Sequence, residues 1–307
     1  MNEAQRLATR LSAPGDAASE NSNSFYLLTV VSDGEGGYDL VEQYKTDLDL
    51  ISETLVASDV PEDTPVAYLV ETDENRIVFY VDKPGYLKAS TYNPDPHAEA
   101  AWEADEALGE IGSMGVHRGG KISACFTEDG LLVFFPSPGG SVECIEQKGG
   151  KWSPRGPLPP SIPIDSPHYP LVVDDKLHFF YVSKHGSLDY LTREVGGDSW
   201  QENVFYGATL GKAVSRFAVG HDREKQTFTA YVLTGGVLVS IDADGNRHDL
   251  VKEAGAGKFT PVGSAERCYH IHIHGDIVIR GSQNSFNMGG GSIEKGSRRR
   301  IHRRRYY

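Results

Sequence analysis

Cysteine is scarce in this chain: three residues in 307, Cys125, Cys144 and Cys268, odd in number and with no CxxC spacing. Such a set supports neither a disulfide framework nor a CxxC metal site, and it reads as reduced, mostly buried thiols of an intracellular protein. No apolar run approaches the roughly 20 residues of a membrane span. The opening MNEAQRLATRLSAPGDAASE has no hydrophobic stretch of a secretory signal, so a cytoplasmic location is expected. Cations are outnumbered, 30 Lys and Arg against 43 Asp and Glu, for a net charge of −13. A general nucleic-acid binder needs a basic face, and this acidic body argues against one. The chain also lacks GxSxG, a P-loop, HExxH, and a GxGxxG that follows a strand and opens a helix. Asp165, Ser166 and His168 are neighbours in a Pro-rich loop, but sequence adjacency does not define a triad. Asp174 and Asp175 read as a solvated turn. Helical periodicity is nearly missing, with a helical turn or two expected only within Ala98–Leu108.

What is present is turns and short β runs. There are 34 Gly and 16 Pro, turn-rich without being low-complexity. One unit recurs: a β run, a Gly-containing turn, a second β run, then a Trp or polar loop. The copies are Tyr26–Val31 with Tyr38–Tyr44, Ile77–Val81 with Tyr86–Tyr92, Leu131–Phe135 with Ser141–Gln147, Leu177–Val182 with Ser187–Leu191, and Phe228–Leu233 with Val237–Ile241. A weaker sixth begins at Asp276. The copies start about 46 to 54 residues apart, the period of propeller blades. A further short strand precedes each later copy: Val66–Val70, Ile122–Phe126, Tyr169–Val173, Arg216–Gly220 and Tyr269–His274. The connectors DKPG, SPGG, KHG, TGG and DADGN carry the residues that tight hairpins demand. The pattern predicts an all-β, six-bladed β-propeller, with five blades as the alternative if the C-terminal strands complete the first. Residues 1–288 form a single domain in this reading. Residues 289–307 form a Gly/Arg-rich tail with six Arg, expected to be flexible and solvated, or else a contact for RNA or an acidic partner.

The unit resembles the repeat of the fungal fucose-specific lectins, whose pattern is aliphatic-Arg-Val-Tyr-Tyr, a turn, Ile-Arg-Glu, then Trp. IVFYV…GYLKAS…W and LHFFYV…GSLDYL…W follow that spacing, and the likeness covers most of residues 20–285. In that family the Arg and Glu hold sugar hydroxyls and an aromatic ring packs on the apolar sugar face. Here the Arg position falls on Ile77, Leu132, His178, Phe228 and Ile277. The Glu position falls on Ala89, Cys144, Tyr190 and Ser240. Blade one keeps Glu42, with no Arg expected beside it. The cavities would then be lined by aromatics such as Phe79, Phe134, Phe135, Phe179, Phe180, Tyr181 and Tyr190, most of them serving as core.

A second fungal group looks like the same propeller without its sugar residues: the hetero-Diels–Alderases of tropolonic sesquiterpenoid biosynthesis. This resemblance implies a cofactor-free enzyme joining a tropolone o-quinone methide to humulene or a related terpene. Its partners would be those apolar small molecules, with homo-oligomer formation left open. Such a step needs proximity, a donor aimed at the carbonyl, a general acid if water leaves a hydroxymethyl precursor, and an apolar pocket that excludes water. It needs no metal. His270, His272 and His274 alternate along one strand and project to one face. They stand as channel residues, as pocket acid or donor, or as a metal triad, for which they are nearly collinear. With Tyr190 they are the candidate catalytic groups. The candidate substrate-binding residues are Trp102, Trp152, His178, Trp200, Arg216 and Arg280. The tryptophans suit ring stacking or the sealing of blade edges equally, and the arginines suit an acidic tropolone oxygen or a surface salt bridge. The alternative function is a noncatalytic carbohydrate-binding lectin of altered specificity. A third reading is a scaffold propeller that binds protein through one face.

Overall fold

The computed structural model describes residues 5–6, 24–46, 49–70, 75–211, 214–222, 225–255, 258–261, 271–273, 277–282 and 285–288, with backbone alone at 5–6, 24–25, 27, 45–46, 49, 215–216 and beyond residue 250. Its strands group into consecutive antiparallel sheets. The first holds β1 (Gln5–Arg6), β2 (Ser24–Ser32), β3 (Tyr38–Thr46) and β4 (Asp49–Ala57). The second holds β5 (Val66–Val70), β6 (Arg76–Val81), β7 (Leu87–Tyr92) and β8 (Trp102–Ala104). After it comes one helical turn, α1 (Glu106–Glu110), whose first turn is capped where Asp105 accepts from the Leu108 amide. The third sheet holds β9 (Ser123–Thr127), β10 (Gly130–Pro136), β11 (Val142–Lys148) and β12 (Lys151–Pro157). The fourth holds β13 (His168–Val173), β14 (Lys176–Val182), β15 (Leu188–Glu194) and β16 (Gln201–Tyr206). The fifth begins with β17 (Val214–Asp222), β18 (Thr227–Thr234), β19 (Val237–Ile241) and β20 (Arg247–Gly255).

The fifth sheet then continues. β21 (Lys258–Pro261) pairs with β20, and β24 (Ser285–Met288), β23 (Ile277–Ser282) and β22 (Ile271–Ile273) follow outward in that order. The described strands therefore make five sheets, the five-bladed alternative rather than the six first expected. The strands of the sixth copy exist, but only two residues separate β20 from β21. β21 runs antiparallel to β20, and the ladder runs on into one eight-stranded sheet.

The strand sequences explain this architecture. Each is rich in β-branched and aromatic residues that suit a pleated, half-buried surface. The second and third strands of the first four sheets are joined by the same hairpin. An amide at its start reaches a carbonyl four residues on: Asp33 to Gly37, Asp82 to Tyr86, Ser137 to Ser141 and Ser183 to Ser187. The fifth sheet uses Gly235–Gly236 instead, both in the left-handed region that a two-residue hairpin requires. Strands β5, β9, β13 and β17 lie side by side in succession. Apolar side chains cluster between successive sheets, in four buried groups that span sheets one–two, two–three, three–four and four–five. The core is thus a series of junctions, the arrangement of a propeller.

Candidate functional site

The shared hairpin sets a common register. Ser32, Val81, Pro136 and Val182 face Tyr38, Leu87, Val142 and Leu188. Counted from there, Leu40 is the counterpart of Ala89, Cys144 and Tyr190. Glu42 stands two residues further on, level with Thr91, Glu146 and Thr192. The carboxylate of blade one is therefore not at the lectin Glu position. Nor does it stand alone, as the sequence suggested. Arg76, the first residue of β6, enters the junction from the second sheet with Nε 3.1 Å from Glu42 Oε1, and its Nη2 donates to Oε2 at 3.2 Å. Arg76 is 3% exposed and Glu42 4%. The Tyr68 hydroxyl donates to the same carboxylate. Burial first, and Glu42 second, push that phenol well above the usual tyrosine range. The guanidinium carbon lies 3.4 Å from the Tyr92 ring centre and 4.5 Å from that of Tyr26. Trp102 closes the cluster, buried, with Nε1 lacking a hydrogen-bond partner among the described residues. Sequence reasoning missed Arg76 because the repeat aligns Ile77, not Arg76, with the lectin arginine. An Arg at the start of one copy and a Glu in the preceding copy were the available signal.

The second–third junction is filled differently. Trp152 donates from Nε1 to Asp105 Oδ2 at 2.9 Å, and Gln147 donates to the same oxygen at 3.4 Å. Phe79 meets the Trp152 ring edge-on. Beside Asp105 and Ala89 lies a cleft of about 320 Å³ that also takes in Tyr80, Tyr86, Lys88 and Ser113.

The fourth–fifth junction brings together two predicted residues, His178 and Tyr190. His178 on β14 sits 4.7 Å, ring centre to ring centre, from Phe228 of the fifth sheet. Its other ring neighbours are Phe180 and Tyr190. Phe180 stacks on Tyr190 at 5.0 Å, and Phe205 meets both rings edge-on. Phe180 is fully buried, whereas His178, Tyr190, Phe205 and Phe228 are half-buried, so the group forms an aromatic cluster partly exposed to solvent. His178 Nδ1 is enclosed without a hydrogen-bond partner among the described residues. Burial first, then the charges of Lys176 and His221, lowers its pKa to about 4, so the ring is neutral at physiological pH.

The remaining sequence candidates are placed as follows. His272 lies on β22, Arg280 on β23 and Arg216 on β17, with backbone described but not side chain. His270, His274, Cys268 and the tail at 289–307 lie outside the described residues. Trp102 and Trp152 are enclosed at their junctions and Trp200 is half-buried. Cys125 and Cys144 are free and buried, as expected. Asp174 and Asp175 are exposed turn residues with positive φ, also as expected. His168 does not join Asp165 and Ser166. Its Nδ1 meets Ser123 Oγ at 2.6 Å and its Nε2 meets the Lys121 carbonyl at 3.1 Å, while Ser166 bonds Val182. A hydroxyl, an imidazole and an orienting carbonyl have the form of a nucleophile and its base. Both side chains are buried and His168 stacks on Phe179, so the pair serves as a latch between β9 and β13. Among the described residues no cluster of His, Cys, Asp and Glu is arranged to hold a metal, and no helix is long and apolar enough to cross a membrane.

No protein-family model matches the chain, and no curated protein sequence is significantly similar to it. Solved structures do resemble it. The fucose-specific lectin of Aleuria aurantia superposes with a TM-score of 0.56 at 15% identity, over 80% of this chain and 79% of the lectin. Another structure of the same lectin, described as a six-bladed β-propeller with a novel fucose recognition mode, gives 0.52 at 14% identity over 84% of each chain. The SapL1 lectin bound to α-methyl fucoside gives 0.55 at 11% identity over 93% of this chain and 95% of the lectin. At such identities the likeness speaks for the fold alone, and in fold this chain is an all-β propeller resembling the fucose-specific lectins.

Proposed function

We propose that the protein is a small-molecule-binding propeller whose guest is an apolar, ring-bearing compound held at the fourth–fifth junction. In its sharper form the reading is a cofactor-free hetero-Diels–Alderase that joins a tropolone o-quinone methide to humulene or a related terpene. The observation that carries it is the half-buried cluster of Tyr190, Phe205 and Phe228 around His178. In the cycloaddition, the methide carbon bonds one alkene carbon and its carbonyl oxygen bonds the other, with no atom lost. A neutral imidazole or the Tyr190 hydroxyl would donate to that oxygen as negative charge builds on it. The aromatic faces would hold the terpene and keep water from the methide. Incubation with humulene and a hydroxymethyl tropolone should yield adduct faster and more stereoselectively than buffer. His178→Ala and Tyr190→Phe should each slow it by about ten-fold or more, the scale of a lost donor or acid. A rate equal to that in buffer would sink the enzyme reading.

The second reading, a carbohydrate-binding lectin, draws on the Arg76–Glu42 pair among tyrosines and on the fucosides bound by the lectins of similar fold. The sealing of that pair counts against it, since a sugar would have to displace a satisfied ion pair. A glycan array with Glu42→Gln as control separates the two: tight sugar binding lost in the variant would favour the lectin.

A further inference from the structure

A strand at the edge of a sheet presents unpaired backbone groups, and proteins blunt such edges by shortness, proline, charge or a cover. The outer strands of this molecule follow that rule with one exception. β8 has three residues, β12 carries Pro154 and Pro157, and β20 is covered by β21. β16 exposes one large aliphatic side chain, Val204. β4 is nine residues long, contains no proline, and has no strand on its outer side among the described residues. Its Val56 turns into the cluster that holds Trp102. Leu50, Ile51 and Leu55, by contrast, are 51%, 58% and 50% exposed. Between the bulges at Ile51 and Val56, Ser52–Leu55 keep regular pairing with Val41–Tyr44. Single aliphatics on a surface need no explanation, but three on one open edge do.

Charge narrows what can cover them. The stretch from Thr46 to Asn75, which contains β4, holds nine Asp and Glu and no Lys or Arg. Glu53 stands exposed in the middle of the open edge, where its carboxylate accepts from Gln43. A segment that suits this edge combines cations with apolar side chains. Of the longer segments outside the described residues, 7–23 has one Arg against two acids and 262–270 has one of each. Residues 298–307 read RRRIHRRRYY, six Arg with Ile301, Tyr306 and Tyr307. In an extended chain Arg304 and Tyr306 fall on one face, the spacing that Glu53 and Leu55 have on β4. Residues 289–297 supply a linker of up to about 30 Å, longer than the ~19 Å radius of gyration of a compact chain of this size.

We propose that residues 298–307 add to the outer edge of β4 as a fifth strand of the first sheet. Main-chain hydrogen bonds supply the grip of such an addition, and side chains its selectivity. Arginine meets Glu53, and the Ile and Tyr side chains cover Leu50, Ile51 and Leu55. The basic tail is then a cover for this chain's own edge rather than a contact for RNA.

Hydrogen–deuterium exchange of the full chain, read on peptides that span β4, tests this. The β4 amides that point away from β3 have no ladder partner within the sheet, so they exchange at open-chain rates unless the tail pairs with them. Replacing Arg298, Arg299, Arg300, Arg303, Arg304 and Arg305 with Ser is expected to speed exchange across Leu50–Leu55 at least ten-fold, while β12 and β16 keep their rates. Ile301→Ser/Tyr306→Ser/Tyr307→Ser, which leaves the charge intact, should speed it at least three-fold. Unchanged exchange in either variant, or an equal rise in β12 and β16, overturns the proposal. Protection that disappears on dilution also overturns it, by assigning the edge to a second copy. Loss of single-stranded RNA binding in the arginine variant, with β4 exchange unaltered, overturns it by assigning the tail to RNA.

Discussion

The first–second and fourth–fifth junctions rest on the same register and are filled in opposite ways. One places Glu42 and Arg76 in contact, with Tyr68 donating to the carboxylate and a half-buried Tyr92 against the cation, and shuts the carboxylate, the guanidinium and the Tyr68 phenol from water. The other has Phe180, Tyr190, Phe205 and Phe228 around a neutral His178, with all of these but Phe180 partly exposed. The difference teaches that charge in this ring is used to close a seam, and aromatic surface to leave one accessible. An ion pair in a dry seam holds only while both members are present, whereas an aromatic seam loses stability in proportion to the surface removed.

Removing one ion should therefore have the largest effect. Glu42→Ala leaves the Arg76 guanidinium enclosed without its counter-ion and should cost about 3 to 5 kcal/mol in urea unfolding. The double variant Glu42→Leu/Arg76→Met should regain most of that loss. A single-variant cost below about 1 kcal/mol would break the contrast, because the seam would then be held by its rings alone.

Acid should reveal a second, smaller difference. Burial, the first cause in each case, lowers both His168 and His178 from 6.5 to about 4. Above pH 6.5 both rings are neutral, folded or unfolded, and contribute no pH dependence. Between 6.5 and about 4 the unfolded chain takes up protons that the folded one refuses, so stability falls with pH. Below about 4 this loss is complete. The latch residue His168, 8% exposed, should account for up to about 3 kcal/mol of the fall. His178, in the partly exposed cluster, should contribute distinctly less. Unfolding midpoints of His168→Phe and His178→Phe across this window would sharpen the comparison if the first flattens the slope more, and would contradict it if the order were reversed.

The smallest effect is expected where charge is merely superficial. Lys83 and Asp59 pair at 2.7 Å across the first two sheets, with both side chains more than 60% exposed. Lys83→Ala should leave the urea midpoint unchanged, because solvent and salt screen such a pair. A clear loss there would mean that charge holds the outside of this seam as well as its interior.

Much of the fold was legible because the turns were. Strand–turn–strand units at a steady period announced a propeller, and hairpins such as DKPG and SPGG fixed the register. Blade number was not legible, since whether β21 starts a sheet or extends one depends on pairing across a two-residue link. The aromatic cluster was half visible. His178 and Tyr190 were singled out from their repeat positions, while Phe205 lies on a fourth strand that carries no repeat signature. The Arg76–Glu42 pair and the Ser123–His168 latch were missed, because each joins residues from neighbouring repeats, and a repeat alignment compares copies without saying what they touch.

The hairpin used four times over has an engineering consequence. Its tips, around Glu35, Pro84, Gly139 and His185, join equivalent strands of successive sheets, so they line one rim. Gly34, Gly36, Gly85 and Gly140 there have open space where a side chain would begin, though their positive φ strains any other residue in place. Peptides spliced between these anchors, with the flanking glycines retained, would be presented together on one edge of the disc, turning the molecule into a four-point display for binding tags whose combined grip exceeds that of any single copy.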